Sequence, residues 1–476
     1  MSEYWKQQAL LLREPFVQEL KTFLSINSIE DMATAAPGKP FGEGVAQALK
    51  YLLARGEADG FRTKNVDGYA GVIEYGEGAE EIGVLVHVDV VTVGEGWTTP
   101  PFEPDVRDGK IYARGAIDDK GPALAAYYAL QLVKDTGLPL SKRVRLIIGT
   151  DEESGWLCMK HFTEQEKVPR VGFSPDSSFP MTHAEKGQIN PTLTIPAAEH
   201  LQTSDGYRLL SFAAGDQGNS VPEKAVALVA VGHAAGADAR EVLASRWEAF
   251  LQEQGATGQM DAANSGELTF LLQGKPAHGM EPHRGKNAGT ALARFLHSLP
   301  FETSDYSFLS LLSDVLHEDF FGENLRIACE DEFSGELTVN AGILRYSQSE
   351  GGSVRLNIRH PATVSCEEYV EKLQRRVDEL GWNISHPRTS KSHYVPKDRP
   401  VIQTLSRVYE EHTGQPAELL SSGGATYAKI MSEGVAFGPL FPGKESMAHL
   451  TDEYAEIDDL LRAMAIYAHA ISELAK

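Results

Sequence analysis

Several stretches of this sequence end in residues that bind divalent cations. The apolar run Val84-Leu85-Val86 leads into His87-Val88-Asp89. Residues 114–121 carry two adjacent acids, Asp118 and Asp119. Leu146-Ile147-Ile148-Gly149-Thr150 leads into Asp151-Glu152-Glu153, Ser174-Pro175 precedes Asp176, and Met447-Ala448 precedes His449. Imidazole nitrogens and carboxylate oxygens suit zinc or a similar ion. Metal-assisted hydrolysis is the chemistry this set points to.

His87 and Asp89 stand two apart on a strand, so their side chains share a face. A ligating histidine usually donates its second ring N–H to a carboxylate, a part Asp89 can play for His87. Asp118 stands just ahead of a helix start, where the helix dipole favours an anion. A carboxylate there can give one oxygen to each of two cations. Glu152 and Glu153 close a strand-like run; where the chain turns, one can ligate while the other acts as general base. Each feature alone has a plainer reading: a strand-end histidine, a helix N-cap by Asp118 or Asp119, or a solvated acidic turn. Asp176 and His449 say little in isolation. Jointly, acids and a histidine follow successive strand ends, and open α/β sheets gather their sites at the carboxyl ends of strands.

Placing these ends together requires strands alternating with helices. The apolar periodicity predicts an amphipathic helix over 3–24 and another over 44–54, with strands at 61–66, 71–74 and 82–88. A helix begins near Gly121-Pro122, where proline suits the first turn, and strands follow at 144–148 and 171–174. The pattern is α/β, a sheet covered by helices. From about residue 188 shorter strands appear, at 268–272, 337–344 and 353–358, with helices at 239–253, 288–297 and 367–380. A helix-like segment at 396–413 and a small-residue turn at 421–425 ahead of a further helix precede His449. The reading is a catalytic domain split into 1–187 and 386–476, with an inserted domain at 188–385.

The 476 residues exceed one ordinary core, and 42% hydrophobic with 23% charged residues describes a soluble globular protein. No run approaches the roughly 18 apolar residues that span a bilayer, and residues 1–6 lack the pattern of a signal peptide. A net charge of −23 argues against nucleic acid and anionic membranes as partners. Cys158, Cys329 and Cys366 are scattered and odd in number, which fits a reducing cytoplasm and no thiolate metal site.

The motifs resemble those of the aminoacylase/carboxypeptidase family of two-zinc amidohydrolases and peptidases. The matching stretches are His87-Val88-Asp89, residues 96–102, residues 108–121, Thr150 to Gly155, Gly438-Pro439, Pro442-Gly443, and Ala448-His449 through Glu453-Tyr454. The resemblance implies a mixed-sheet two-zinc catalytic domain covered by helices, with an inserted α+β lid. It implies that His87 and Asp176 hold one ion, Glu153 and His449 the other, and that Asp118 bridges them. Asp89 would orient His87, and Glu152 would be general base and then proton donor, acting on a water shared by the ions. A cis peptide is implied at Asp118–Asp119. The run 274–282 resembles the family's lid motif and nominates His278 as donor to the oxyanion. Zn²⁺ is the first choice of ion, with Mn²⁺ or Co²⁺ able to serve.

The insert is nearly twice the size found in simple members, which resembles the PepV-type branch of unspecific, Xaa-His or β-Ala-Xaa dipeptidases. That branch implies a pseudo-dimeric enlarged lid, a monomer, and a dipeptide substrate with free amino and carboxyl ends. Residues 357–361 and 423–428 fit it. Arg359 is the candidate clamp for the substrate carboxylate, with Gly424 and Asn219 as further contacts. Two alternatives stay open: an N-acyl-amino-acid or succinyl-diamine deacylase, and a catalytically silent metal- or peptide-binding homologue.

Overall fold

The computed structural model describes residues 1–197, 206–232, 239–262, 266–301, 303–385 and 388–476. The chain forms two compact units, Met1–Ala184 with Tyr394–Lys476, and Glu185–His393. Strands on either side of the crossings explain these limits. Gly187–Asn190 and Arg388–Ser390 pair antiparallel with each other, so both belong to the second unit's sheet.

The first unit's sheet runs Arg62–Val66, Ala70–Tyr75, Arg143–Gly149, Glu81–His87, Val171–Ser174, Glu433–Ala436 and Met181–Glu185 in spatial order. The four strands from Arg143–Gly149 to Glu433–Ala436 are parallel, and their neighbours are antiparallel. Ile82, Val84, Leu85 and Val86 are all buried, as expected of a parallel strand covered on both faces. Helices Lys120–Asp135 and Ile457–Leu474 pack against each other. Their alanines, among them Ala126, Ala129, Ala465 and Ala468, are fully buried and let the two backbones approach.

The first helical stretch is divided. Ser2–Leu11 and Arg13–Leu24 are separate helices, with Leu12 at φ −90° and ψ 3° between them. Pro15 has no N–H to offer the Leu11 carbonyl, so one helix stops and the next carries Pro15 in its first turn. The helix expected after 421–425 is only a 3₁₀ turn, Tyr427–Ile430. Met431 is already extended, and a Cβ at Gly434 would lie 2.2 Å from the Ala428 carbonyl oxygen. The chain has no length for a helix before strand Glu433–Ala436.

The second unit holds an antiparallel sheet in the order Thr257–Ala262, Glu267–Gln273, Lys224–Val231, Tyr207–Ala214, Thr338–Ser347, Gly351–His360, Gly187–Asn190 and Arg388–Ser390. Along Glu267–Gln273 burial alternates: Leu268, Phe270 and Leu272 point into the core, the signature of a sheet with one covered face. Trp247, Leu292, Phe295 and Leu373, from three helices, complete that core. This is an α+β unit. No helix among the described residues is long and apolar enough to cross a membrane.

Candidate metal centre

Parallel register brings the ligand-bearing ends together. His87 stands opposite Gly149 on the neighbouring strand, and the Val88 N–H donates to the Gly149 carbonyl at 3.1 Å. Strand Val171–Ser174 lies on the other side of Glu81–His87, two residues short of Asp176. His87, the acids after Gly149, and Asp176 therefore leave adjacent strands at one edge. Asp118 arrives from the segment before helix Lys120–Asp135, and His449 from the segment before strand Tyr454–Glu456.

The Asp118 carboxylate faces two histidines with different oxygens. Its Oδ1 lies 3.1 Å from His87 Nε2, and its Oδ2 lies 3.1 Å from His449 Nε2. Asp176 Oδ2 is 3.8 Å from His87 Nε2, and Glu153 Oε1 is 3.0 Å from His449 Nε2. Candidate ligand atoms of His87, Asp118 and Glu153 lie within 4.8 Å of one another, as do those of His87, Glu152 and Asp176. Glu152 thus stands over the His87–Asp176 side of the cluster. His87 is buried, while the His449 side chain is half exposed.

Asp89 meets both sides. Its main-chain oxygen is 3.0 Å from His87 Nδ1 and its Oδ1 is 3.5 Å from the same nitrogen, while its Oδ2 accepts the Glu153 N–H at 3.0 Å. The ring orientation of His87 is therefore held first by the Asp89 main chain. Neither Asp118 nor Asp119 caps the following helix. Asp119 occupies the N-cap position without a capping bond, its Oδ2 accepts the His87 N–H at 3.1 Å, and the Asp118–Asp119 peptide is cis.

The cluster's charge fits cations. Burial, then the charge of Asp176, raises the Glu152 carboxyl well above its ordinary value, and burial with Asp118 raises Glu153. Burial opposes charge on His87, but Asp118, Asp89 and Asp176 outweigh it and raise its pKa. Contacts with Asp118 and Glu153 push His449 up to about 11. Burial opposes ionisation of Asp118, yet the two histidines hold it below the usual carboxylate range. These close carboxylates thus favour positive charge beside them. Two divalent ions satisfy such a donor set, which is nitrogen and oxygen throughout.

Sequence reading passed over the residues that brace this site. Asp151 accepts the Gly155 and Leu157 N–H groups at 2.8 and 2.7 Å, folding the acidic turn so that both Glu152 and Glu153 reach the cluster. Tyr427 places its ring edge-on to His87, centroids 6.2 Å apart, and its hydroxyl lies 2.9 Å from Cys158 Sγ. Arg114 and Glu453 form a buried ion pair at 2.7 Å. The Asp151 turn was open in part to a sequence reading, since aspartate and glycine both favour turns.

The remaining candidates divide. Gly424 belongs to the first unit, where its N–H donates to Ser422 Oγ at 2.9 Å and so is engaged within its own turn. His278, Asn219 and Arg359 belong to the second unit. There the Gly279 N–H donates to the Asn219 carbonyl at 2.7 Å and Ser220 bridges His278, so the two loops run side by side. His278 and Asn219 are exposed. Arg359 is buried and donates from Nε to Asn357 Oδ1 at 2.9 Å; burial lowers its pKa to about 10. Asn340 stands opposite Asn357 and donates to the Gly218 and Ser220 carbonyls at 2.9 Å each, tying the Asn219 loop to the strand pair that carries Arg359.

Comparison with known proteins identifies the family. Residues 83–473 match the model of peptidase family M20/M25/M40. A Bacillus subtilis (strain 168) protein named "Putative dipeptidase YtjP" is 46% identical over 99% of this chain and 100% of its own length. A Staphylococcus epidermidis "Putative dipeptidase" is 37% identical over 99% of both chains. Among solved structures, human carnosine dipeptidase 1 superposes with a TM-score of 0.57 at 15% identity over the whole of both chains. The aminoacylhistidine dipeptidase of Vibrio alginolyticus gives 0.55 at 14% identity over 97% of this chain and 96% of that one. These two likenesses concern the fold. The chain belongs to peptidase family M20/M25/M40.

Proposed function

We propose that this peptidase hydrolyses dipeptides with free amino and carboxyl ends, β-alanyl dipeptides among them, at a site built for two divalent cations. The observation that carries the reaction is Asp118, which turns one oxygen to His87 and the other to His449. His87 and Asp176 would hold one ion, Glu153 and His449 the other, with Asp118 shared and Asp89 steadying His87. Zn²⁺ suits the donors, and Mn²⁺ or Co²⁺ would also fit. Bound cations supply Lewis acidity, which acidifies water and polarises the scissile carbonyl.

The chain's own residues do the rest. Glu152 takes a proton from the attacking water as the new C–O bond forms. It then gives that proton to the amine nitrogen as the C–N bond breaks. Its burial and the neighbouring Asp176 charge favour holding the proton between these events. His278 is assigned to the oxyanion, and Arg359 to the substrate carboxylate, whose planar shape its guanidinium matches. Asn219 and Gly424 are assigned as further substrate contacts.

Dipeptide selectivity is supported by the full-length relatives at 46% and 37% identity that carry the dipeptidase name. The size of the 188–385 insert supports a pseudo-dimeric lid and a monomer. Three free cysteines support a cytoplasmic home. Hydrolysis of Ala–Ala, β-Ala–His, tri-alanine, N-acetyl-alanine and a succinylated diamino acid tests this reading. Cleavage of the two dipeptides alone is expected. Comparable turnover of tri-alanine or of the acylated compounds would overturn it.

A further inference from the structure

We infer that the buried Arg114–Glu453 pair is a positioning clamp that fixes the spacing of the two segments delivering Asp118 and His449, and so sets cation affinity. The inference rests on the two-cation reading above. Both Glu453 oxygens are used on the Asp118 segment. Oε1 accepts the N–H groups of Ile117 and Asp118 at 2.9 and 3.2 Å. Oε2 accepts the Gly115 N–H at 3.1 Å and Arg114 Nη1 at 2.7 Å. Arg114 then reaches the other segment: Nη1 donates to the Leu450 carbonyl at 3.4 Å and Nη2 to that of His449 at 3.5 Å, while Nη2 also donates to the Thr92 carbonyl, in the loop after Asp89, at 3.1 Å. One carboxylate thus holds the backbone of the shared ligand, and its guanidinium partner holds the backbone of a terminal one.

Local structure makes this pair a fixed point. Strand Tyr454–Glu456 pairs with Lys110–Tyr112, and the Ala113 N–H donates to the Glu453 carbonyl at 3.1 Å, so residues 113 and 453 are locked in register. Glu453 and Arg114 are 0% and 1% exposed. His449 has φ of +66°, the left-handed region that costs a non-glycine residue energy unless its surroundings impose it. The Arg114 guanidinium meets the chain at this bend, through the His449 and Leu450 carbonyls. Buried charged groups need hydrogen-bond partners, and this pair finds them on the main chain of both ligand segments.

The test uses the full chain stripped of cations, with Zn²⁺ titrated back against a chromophoric chelator. Glu453→Gln keeps the shape but presents an NH₂ to groups that are all donors. It is expected to weaken Zn²⁺ binding about 10–100-fold, the usual range for residues that orient ligands, and to speed amide exchange at 115–118 in the stripped protein. Arg114→Lys, which keeps the charge but cannot span three carbonyls, covers the case in which Glu453→Gln fails to fold; it is expected to weaken binding as well. Asp118→Asn serves as reference. If it loses Zn²⁺ while a folded Glu453→Gln or Arg114→Lys binds at wild-type affinity, the clamp is overturned and the metal reading stands. If Asp118→Asn itself binds two Zn²⁺ at wild-type affinity, the metal reading is what fails.

Discussion

The two units solve the same packing problem in opposite ways, and the contrast explains where the chemistry sits. The first has parallel central strands buried on both faces, and His87, Glu153 and Asp176, which leave or follow the strand ends, collect at one edge. The second has an antiparallel sheet with one covered face. Its polar candidates lie on an exposed loop, as Asn219 and His278 do, or along a strand, as Arg359 does. Among the described residues, the groups able to hold a cation all belong to the first unit. On the proposed roles, the cations and the general base belong to the first unit, and the second contributes His278, Asn219 and Arg359.

The strongest way to break that assignment is at Glu152. Glu152→Gln is expected to lower kcat about 10²–10⁴-fold while two cations still bind, measured by rate and metal content together. Near wild-type turnover would remove it from the mechanism. Next comes the independence of the second unit's core. Phe270 is fully buried against Trp247 and Phe295, and Phe270→Ala should cost about 3–5 kcal/mol of that unit's stability. Urea unfolding followed by amide exchange in both units should show the loss there, with cation affinity unchanged. Affinity falling in step would erase the contrast.

A smaller effect is expected at Arg359. Arg359→Met should raise KM for dipeptides roughly 10-fold, the scale of a lost charge-assisted bond, without changing metal content; an unchanged KM would take the substrate carboxylate away from this residue. A separate effect concerns acid stability of the first unit. His412 Nε2 lies 3.2 Å from His469 Nδ1, and burial followed by the His469 charge lowers its pKa to about 3. The folded value lies below the ordinary one of about 6.5, so the unfolded chain protonates first as pH falls. This contribution is complete above about pH 6.5 and is lost between there and about 3, at no more than about 1.4 kcal/mol per pH unit. His412→Gln should flatten that limb of the stability profile, and superimposable profiles would contradict the assignment.

What could be read from the sequence, and what could not, follows the range of the interactions. The parallel strands were legible because their apolar runs are continuous, and the metal segments because acids close those runs. The break at Leu12 was hidden by an unbroken apolar periodicity that outweighed Pro15. Strict alternation would put Glu152 and Glu153 on opposite faces of a strand, and only a turn at the strand end, whose form the pattern does not give, lets both act at one site. The strand ends at Gly149, and the Asp151 turn brings both to the cluster. The Arg114–Glu453 contact spans 339 positions, and nothing local marks either residue as the other's partner. The Asn340 link between the Asn219 loop and the Arg359 strand is likewise a product of register, which pattern alone does not set.

On the proposed reading, two cations sharing Asp118 carry the hydrolysis. The most direct test of that reading is Ala–Ala hydrolysis by cation-stripped protein as Zn²⁺ or Mn²⁺ is returned in measured equivalents. The account predicts background rates without metal and a rise that saturates at two ions per chain. Full hydrolysis by the stripped protein, or saturation at a single ion, would contradict it.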